Sequence, residues 1–144
     1  MAPDLSQVVR DFIAVVWNAG DTSMARMYIH PEYTVDGEEA GPDWVATNVA
    51  RFRHAFPDLK VTVEQIAASD DLVAVRLRMQ GTHLGIWKDV APTGRRVDYQ
   101  EASFWTVDAE TGLIRSGHFV ADALTLRIQL GLLPPSVWQN PGIS

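Results

Sequence analysis

One strand-like segment of the sequence places a carboxyl group on a face that is otherwise largely apolar. Residues 97 to 105 alternate, and Glu101 shares the parity of Val97 and Trp105. Burial among apolar side chains raises the pKa of a carboxyl group, which makes it suitable as a general base or acid near neutral pH. Glu101 is therefore a candidate catalytic residue. The alternatives are a structural ion pair, or an orientation toward water.

A second alternating segment ends its apolar face with an imidazole. In "VAVRLRMQGTHLG" the aliphatic residues from Val73 to Met79 alternate with polar ones, and His83 continues the apolar parity. A histidine with an ordinary pKa near 6.5 can donate or accept a proton at neutral pH. We predict His83 as the partner of Glu101 or as a donor to an enolate. The alternative is a buried histidine whose hydrogen bonds are satisfied in the core.

The last predicted strand adds two further candidates. His118 and Asp122 share one parity of that strand, whereas Gly117 and Phe119 share the other, and the sequence does not say which parity faces inward. We predict His118 or Asp122 as a second proton relay. For Asp122 the alternative is a helix N-cap.

Aromatic residues are numerous enough to line a cavity around these groups. The chain has five tryptophans, which favours a flat, hydrophobic ligand, although core packing is the alternative for each aromatic residue. Tyr99 shares the face of Glu101 and would orient a substrate carbonyl. The remaining predicted lining residues are Trp17, Trp44, Phe52, Phe56 and Trp105.

Helices dominate the first part of the chain. Apolar residues recur at helical spacing over residues 5–17, with Asp4 as the predicted N-cap and Gln7 in the capping-box position. A shorter helix is predicted over residues 24–28 and a third over residues 42–56, where Pro42 suits the first helical turn. The passage "YTVDGEEAGP" between them is typical of turns.

Strands dominate the second part. The hydrophobic period changes to two after Leu59, and four alternating segments follow before a short helical ending. This order predicts one α+β domain over residues 1–144, with residues 132–144 as a C-terminal tail. A curved, mostly antiparallel sheet with about three N-terminal helices would leave a pocket at its open end.

Composition excludes several classes of protein. The chain has 144 residues, 47% of them hydrophobic, no cysteine and a net charge of −6. It therefore lacks the basic surface that nucleic acid or an anionic membrane would select, and it has no disulfides or thiolate ligands. The N-terminus does not resemble a signal peptide, and no segment has the length and apolarity of a membrane span. We expect a cytoplasmic protein.

The common cofactor motifs are absent from the sequence. It contains no dinucleotide fingerprint, phosphate-binding loop, nucleophile elbow or zinc-protease motif. The four histidines are scattered without the spacing of metal ligands. We therefore expect no metal and no cofactor, which leaves acid/base chemistry or binding alone.

Several segments resemble one family over nearly the whole chain. "YIHPEYTVDG", the stretch from "FPDLKV" to "GTHLG", "APTGRR" and "ADALTLRIQLG" resemble the SnoaL-like polyketide cyclases of the nuclear transport factor 2-like superfamily. The resemblance implies a cone-shaped α+β fold with a deep apolar cavity, commonly in a homodimer. It also implies cofactor-free, aldol-type ring closure on aromatic polyketides, with hydroxylase components among the relatives.

The resemblance assigns roles to particular positions. The strand-end histidine of the family corresponds to His83, and the aspartate before the "QLG" ending corresponds to Asp122. The acid/base aspartate of the cyclases falls at Phe119, and their second histidine falls at Ser103. Both positions are predicted to line the site. Glu101, His118 or Asp122 has then taken over the acid/base role, or the reaction differs.

Three functions fit these observations. The first is a cofactor-independent enzyme of secondary metabolism that cyclises or isomerises a hydrophobic, polyketide-like or terpenoid-like substrate. The second is a hydroxylase component of an aromatic polyketide pathway. The third is a non-catalytic domain that binds a hydrophobic ligand.

Overall fold

A computed structural model of the chain describes residues 4–139. Helices cover one face of a sheet, and a further helix follows the last strand. The helical elements are α1 (Leu5–Phe12), a π-helical segment (Ile13–Asn18), a 3-10 turn (Thr22–Met24), α2 (Ala25–Tyr28), α3 (Gly41–Ala55), α4 (Ala123–Gln129) and a second 3-10 turn (Pro135–Gln139). Within the described residues, no helix is both long and apolar enough to cross a bilayer.

The first helix begins as the sequence predicts, with one difference. The carboxylate of Asp4 accepts hydrogen bonds from the backbone N–H groups of Ser6 and Gln7, which confirms it as the N-cap. The Gln7 side chain does not complete a capping box, because its amide donates to Asp11 at 2.7 Å. The helix then widens into the π-helical segment, a conformation that often marks functional sites.

Six strands form one curved, open sheet. They are β1 (Ile29–Val35), β2 (Glu38–Glu39), β3 (Lys60–Ser69), β4 (Leu72–Thr82), β5 (Arg96–Val107) and β6 (Ile114–Ala121). Their order across the sheet is β2-β1-β6-β5-β4-β3. All neighbours are antiparallel except β1 and β6, which are parallel. The prediction of an α+β fold with a curved, mostly antiparallel sheet is confirmed.

The strand β1 corrects the prediction of turns in this part of the chain. Tyr33 and Val35 belong to the strand, and only Asp36 and Gly37 form a tight turn, with positive φ angles of 49° and 84°. Pro31 lies within β1, where the register to β6 shifts. A proline and a register shift obscure the alternation, and the parallel pairing joins residues too distant in sequence for a local pattern to detect.

The predicted parities of β4 and β5 are confirmed. Val73, Leu77 and Met79 of β4 are buried, and Tyr99 and Trp105 of β5 are buried on the same inner face. The inner faces of these strands form the core with α1, the π-helical segment and α3. The opposite face of the sheet carries the charged and polar residues of both strands and some exposed apolar ones.

Two polar side chains fasten the helical layer to the edge strand β3. The Asn18 side chain donates to the carbonyl of Val61 and accepts from its N–H, at 2.9 and 2.7 Å. The Arg53 guanidinium donates to the carbonyls of Trp17, Leu59 and Pro57. The bonds to Val61 satisfy backbone groups at an edge that has no neighbouring strand, and the bond from Arg53 anchors the backbone of Trp17.

The end of the chain is only partly described. Asp122 is the N-cap of helix α4, since its carboxylate accepts a hydrogen bond from the N–H of Thr125. This confirms the alternative that the sequence offered for this residue. The predicted tail starts at residue 132 and includes the second 3-10 turn. Residues 140–144 of that tail lie outside the described part of the chain.

Candidate active site

An apolar pocket opens between the helical layer and the inner face of the sheet. Its volume is about 180 Å³. We call it the inner pocket. Its lining residues come from the π-helical segment, α3 and four strands; they are Ile13, Trp17, Asn48, Phe52, Val61, Leu77, Met79, Glu101, Trp105 and Phe119.

Aromatic rings in edge-to-face contact form much of its wall. Trp17 and Phe52 lie with ring centroids 5.5 Å apart, and Trp105 and Phe119 lie 5.0 Å apart. These geometries are the preferred ones for aromatic pairs. The structure therefore brings together four of the residues predicted to bind substrate. Flat faces and edges on two sides of the pocket suit a planar apolar ligand.

Glu101 is the carboxylate of this pocket. Its side chain is largely buried, and Ser103 Oγ donates to its Oε2 at 3.0 Å. Burial raises the pKa of Glu101, and the hydrogen bond from Ser103 opposes that rise in part. No cation pairs with it in the described part of the chain. The structural ion pair considered as an alternative is therefore not formed, and the carboxyl group is free to exchange a proton with a ligand in the pocket.

Asn48 is a polar lining residue that the sequence analysis missed. It lies on α3 three residues after the buried Val45 and four before Phe52, so it occupies the inner face of the helix. This helical spacing was a signal that could have identified it. Its amide makes no hydrogen bond within residues 4–139, and it adds a free donor to the pocket.

The two positions that the resemblance assigned to the cyclase aspartate and histidine are neighbours. Phe119 of β6 and Ser103 of β5 are directly opposed in the antiparallel register. Phe119 lines the pocket, and the fully buried Ser103 contacts Glu101. The carboxyl group therefore lies one inward-facing position along β5 from the place the family pattern gives to a histidine.

His83 does not join Glu101, which corrects the prediction that the two are partners. Glu101 is opposite Leu77 on β4, and the six residues from Leu77 to His83 span about 20 Å along an extended chain. The imidazole is fully buried against Phe56, with ring centroids 5.4 Å apart. It does not line the inner pocket.

The contacts of His83 are those of a structural residue. The N–H of Thr93 donates to its Nδ1 at 3.2 Å, and Thr93 Oγ1 lies 3.0 Å from the same atom. The ring proton therefore resides on Nε2, which has no hydrogen-bond partner. Burial lowers the pKa of His83. Through the hydrogen bond that it accepts from Thr93, His83 holds the loop of residues 84–94.

His118 and Asp122 also lie away from the inner pocket. The parity of Gly117 and Phe119 faces inward, so His118 is on the outer face of the sheet, where its Nδ1 lies 2.9 Å from Asp36 Oδ1. Asp122 caps α4 and is engaged by Thr125. The structure therefore does not support their prediction as proton relays for Glu101.

Four predicted binding residues do not line the inner pocket. One is Ser103, which is fully buried behind the carboxyl group that it contacts. Tyr99 is buried on the face of Glu101, and both burial and the nearby carboxylate raise its pKa. Phe56 is fully buried in the core beside His83. Trp44 is 39% exposed on α3. The prediction that these residues contact substrate is therefore not supported. Tyr99 and Phe56 pack in the core, and Trp44 lies at the surface.

Within the described residues, no three His, Asp or Glu side chains are grouped so that they could hold a metal ion. The polar groups of the site are the carboxyl group of Glu101, the Ser103 hydroxyl that donates to it, and the amide of Asn48. Aromatic side chains form the wall around them.

The fold and this pocket place the chain in a known family. The family model for the SnoaL-like polyketide cyclases matches residues 7–130. The chain belongs to this family, as its sequence resemblance indicated.

The similar proteins carry assignments of two kinds. Aklanonic acid methyl ester cyclase AcmA of Streptomyces galilaeus is 35% identical over 86 residues, which are 55% of this chain and 59% of that protein. The match thus spans well under two thirds of that relative's length. AclR of the same organism, provisionally assigned as a hydroxylase, is 26% identical with a TM-score of 0.80 over 97% of this chain and 90% of its own. IdmH of Streptomyces antibioticus, provisionally assigned as a polyketide cyclase, is 25% identical with a TM-score of 0.78 over 90% of this chain and 99% of its own.

Proposed function

We propose that this protein is an enzyme that cyclises or isomerises a hydrophobic, polyketide-like substrate by acid/base chemistry without a cofactor. The observation that carries the proposal is the position of Glu101. It is a carboxyl group of raised pKa, oriented by Ser103, at an apolar pocket in a member of a cyclase family. A terpenoid-like substrate would meet the same apolar surface.

The pocket supplies the groups that an aldol-type ring closure needs. Glu101 removes a proton from a carbon next to a substrate carbonyl, and the Asn48 amide donates to the enolate oxygen that results. The enolate carbon then attacks a second carbonyl carbon of the same molecule, which forms the new carbon–carbon bond. The protonated Glu101 returns its proton to the alkoxide. The same proton transfer without bond formation is an isomerisation.

The raised pKa of Glu101 matters to both halves of this cycle. A carboxylate of ordinary pKa is a weak base toward carbon acids, and desolvation strengthens it. The same shift makes the protonated form accessible for returning the proton. The aromatic walls on either side exclude water from the anionic intermediate.

A hydroxylase is the second candidate, favoured by the similarity to AclR over almost the whole of both chains. The cyclase aspartate position is Phe119 here, so ring closure by the family's usual residue is not available. A non-catalytic binding domain is the third candidate. It uses the aromatic walls but not the carboxyl group.

One set of assays separates the three candidates. Purified protein is incubated with linear and partly cyclised aromatic polyketide intermediates, with and without oxygen, and the products are identified by mass spectrometry. Acid/base catalysis predicts an isomeric product of unchanged mass in both atmospheres. Hydroxylation predicts a gain of one oxygen atom only when oxygen is present. A binding domain gives no product.

The variant Glu101→Gln tests the assigned residue directly. It keeps the shape of the side chain but removes the ability to take a proton, so we expect kcat to fall by about 10²- to 10⁴-fold with KM little changed. Glu110→Gln, an exposed carboxylate in the β5–β6 turn, is the matched control. Full activity of Glu101→Gln would exclude Glu101 from the mechanism.

We also propose that the chain forms a homodimer through the outer face of the sheet. Phe104 and Val120 project from that face and are 42% and 67% exposed. Their cross-strand partners there include Ala74 and Ala102, which enlarge the apolar surface. A cytoplasmic location remains a prediction from composition.

A charged substitution in that surface tests the dimer. Phe104→Asp is expected to convert the protein to a monomer of about half the mass in light scattering, because the carboxylate would be buried at the interface. Met27→Asp, at an exposed apolar residue of α2, should leave the mass unchanged. A monomeric wild-type protein would contradict the proposal.

A further inference from the structure

A second concavity adjoins the inner pocket. It lies between α3 and the loop of residues 84–94 and has a volume of about 710 Å³. We call it the outer groove. Asn48 and Phe52 line both the groove and the inner pocket. These two side chains are thus a wall common to both spaces, and a ligand that passes them would occupy both.

The inner pocket alone is small for the proposed substrates. An apolar cavity of roughly 150 Å³ accommodates one benzene molecule. At about 180 Å³ the inner pocket therefore holds little more than the ring that reacts at Glu101. Substrate sites usually have volumes of roughly 300 to 1,000 Å³, so a polycyclic molecule needs more space than the inner pocket offers, and the outer groove is the space that shares lining residues with it.

The lining of the outer groove is cationic. Arg51 and Lys88 contribute positive charge to it, and no carboxylate lines it among the described residues. Neither Arg51 nor Lys88 forms an ion pair within residues 4–139. Asp89 is beside Lys88 in sequence and exposed, but it does not line the groove. In a chain of net charge −6, such a local excess of positive charge favours an anionic group.

The loop holds Lys88 in a defined position. Trp87 and Val90 exchange two backbone hydrogen bonds, so Lys88 and Asp89 form the tip of a tight turn. Lys88 has a φ of +52°, which is a strained conformation for a residue other than glycine. Its ammonium group lies 4.9 Å from the centre of the Trp87 ring, in a cation–π contact.

The base of the loop is fixed as well. The N–H groups of Leu84 and Gly85 both donate to the carbonyl of Ala55, at the end of α3. A Cβ atom at residue 85 would lie 2.2 Å from the backbone oxygen of His54, so only glycine allows this close approach. The loop and the end of α3 are thus held together, so the backbone positions that carry Arg51 and Lys88 keep a constant spacing.

Resting on the proposed function, we propose that the substrate is elongated and carries an anionic oxygen group, which Arg51 and Lys88 bind in the outer groove while the reacting ring occupies the inner pocket. A carboxylate and an acidic phenolate share this chemistry. The cations would fix which end of the molecule enters first, and so determine which carbon faces Glu101.

A matched pair of probes tests this proposal without turnover. Anthraquinone-2-carboxylate and its methyl ester share one flat ring system and differ in a single negative charge. A 1,8-dihydroxyanthraquinone, titrated at pH values on both sides of its first phenol pKa, represents the phenolate. Binding is followed by quenching of tryptophan fluorescence, corrected for absorption by the probe, since Trp17 and Trp105 line the inner pocket.

The variants are Arg51→Gln, Lys88→Met and the double variant. We expect each single change to weaken binding of the carboxylate by about three- to five-fold, and the double change more, with the ester unaffected. Higher salt should weaken binding of the carboxylate to wild type, less so to each single variant, and not to the double variant. The controls Arg10→Gln and Lys60→Met alter exposed cations that line neither space.

Three results would overturn the proposal. They are equal effects on the acid and the ester, effects of the same size in the two controls, or the absence of saturable binding of the probes to wild type. Because the assay measures binding alone, none of these results depends on the acid/base role of Glu101. Conversely, an active Glu101→Gln variant would remove that role and leave the charge preference of the groove in place.

Discussion

Glu101, in the middle of β5, and His83, just after the end of β4, both lie on the inner side of the sheet, and their surroundings give them opposite properties. Glu101 faces an open pocket, and burial raises its pKa. His83 is enclosed against Phe56, accepts hydrogen bonds at Nδ1, and has its pKa lowered. Both are therefore shifted toward the neutral form, but only Glu101 lies where a substrate can reach it. Burial of an ionisable group marks a catalytic site only where a cavity adjoins the group.

The largest expected effect is on turnover, from a substitution of Glu101 that should change activity but not stability. Glu101→Leu removes a buried carboxyl group without changing the side-chain volume much. We expect turnover to fall by about 10²- to 10⁴-fold, while the free energy of unfolding stays within about 1 kcal/mol of wild type or rises. Product assays and urea denaturation measure the two quantities. A large loss of stability would show that Glu101 is a structural residue.

The corresponding substitution of His83 should lower stability and leave turnover nearly unchanged. His83→Leu leaves the N–H of Thr93 without its acceptor and loosens the base of the 84–94 loop. We expect the free energy of unfolding to fall by about 1–3 kcal/mol. The kcat of the folded protein should stay within a few-fold of wild type. A loss of kcat comparable to that of Glu101→Gln would restore His83 to the catalytic site.

The smallest expected effect is on the pH dependence of stability, and it compares Glu101 with His83 most directly. The pKa of His83 is lower in the folded state than the ordinary value of about 6.5. Its contribution to the free energy of unfolding is therefore full above that pH and is lost as pH falls. The pKa of Glu101 is higher in the folded state than its ordinary value of 4.5. Its contribution to the free energy of unfolding is therefore full below pH 4.5 and is lost as pH rises.

Denaturation of wild type and the two leucine variants between pH 4.5 and 7.5 measures these contributions. Relative to His83→Leu, wild type should gain stability as pH rises toward 6.5. Relative to Glu101→Leu, it should lose stability as pH rises from 4.5. Each slope is at most about 1.4 kcal/mol per pH unit. Two slopes of the same sign would contradict the contrast.

The sequence by itself determined the elements whose signals are local. Alternation placed Glu101 and His83 on the inner face, because side chains of a strand point to alternate sides regardless of what surrounds it. Asp4 and Asp122 were readable as N-caps because a cap involves only the next few residues. The family segments, including the glycine that packs on α3 at residue 85, were also recognisable as sequence.

Only the tertiary structure decided which of these residues share a site. The parallel pairing of β1 with β6, the outward face of His118, and the pocket at Glu101 rather than at His83 all depend on contacts between residues distant in sequence. Strand parity fixes the side on which a residue lies, but not whether the space on that side is filled. That depends on how the helices pack across the curved sheet, which no local pattern encodes.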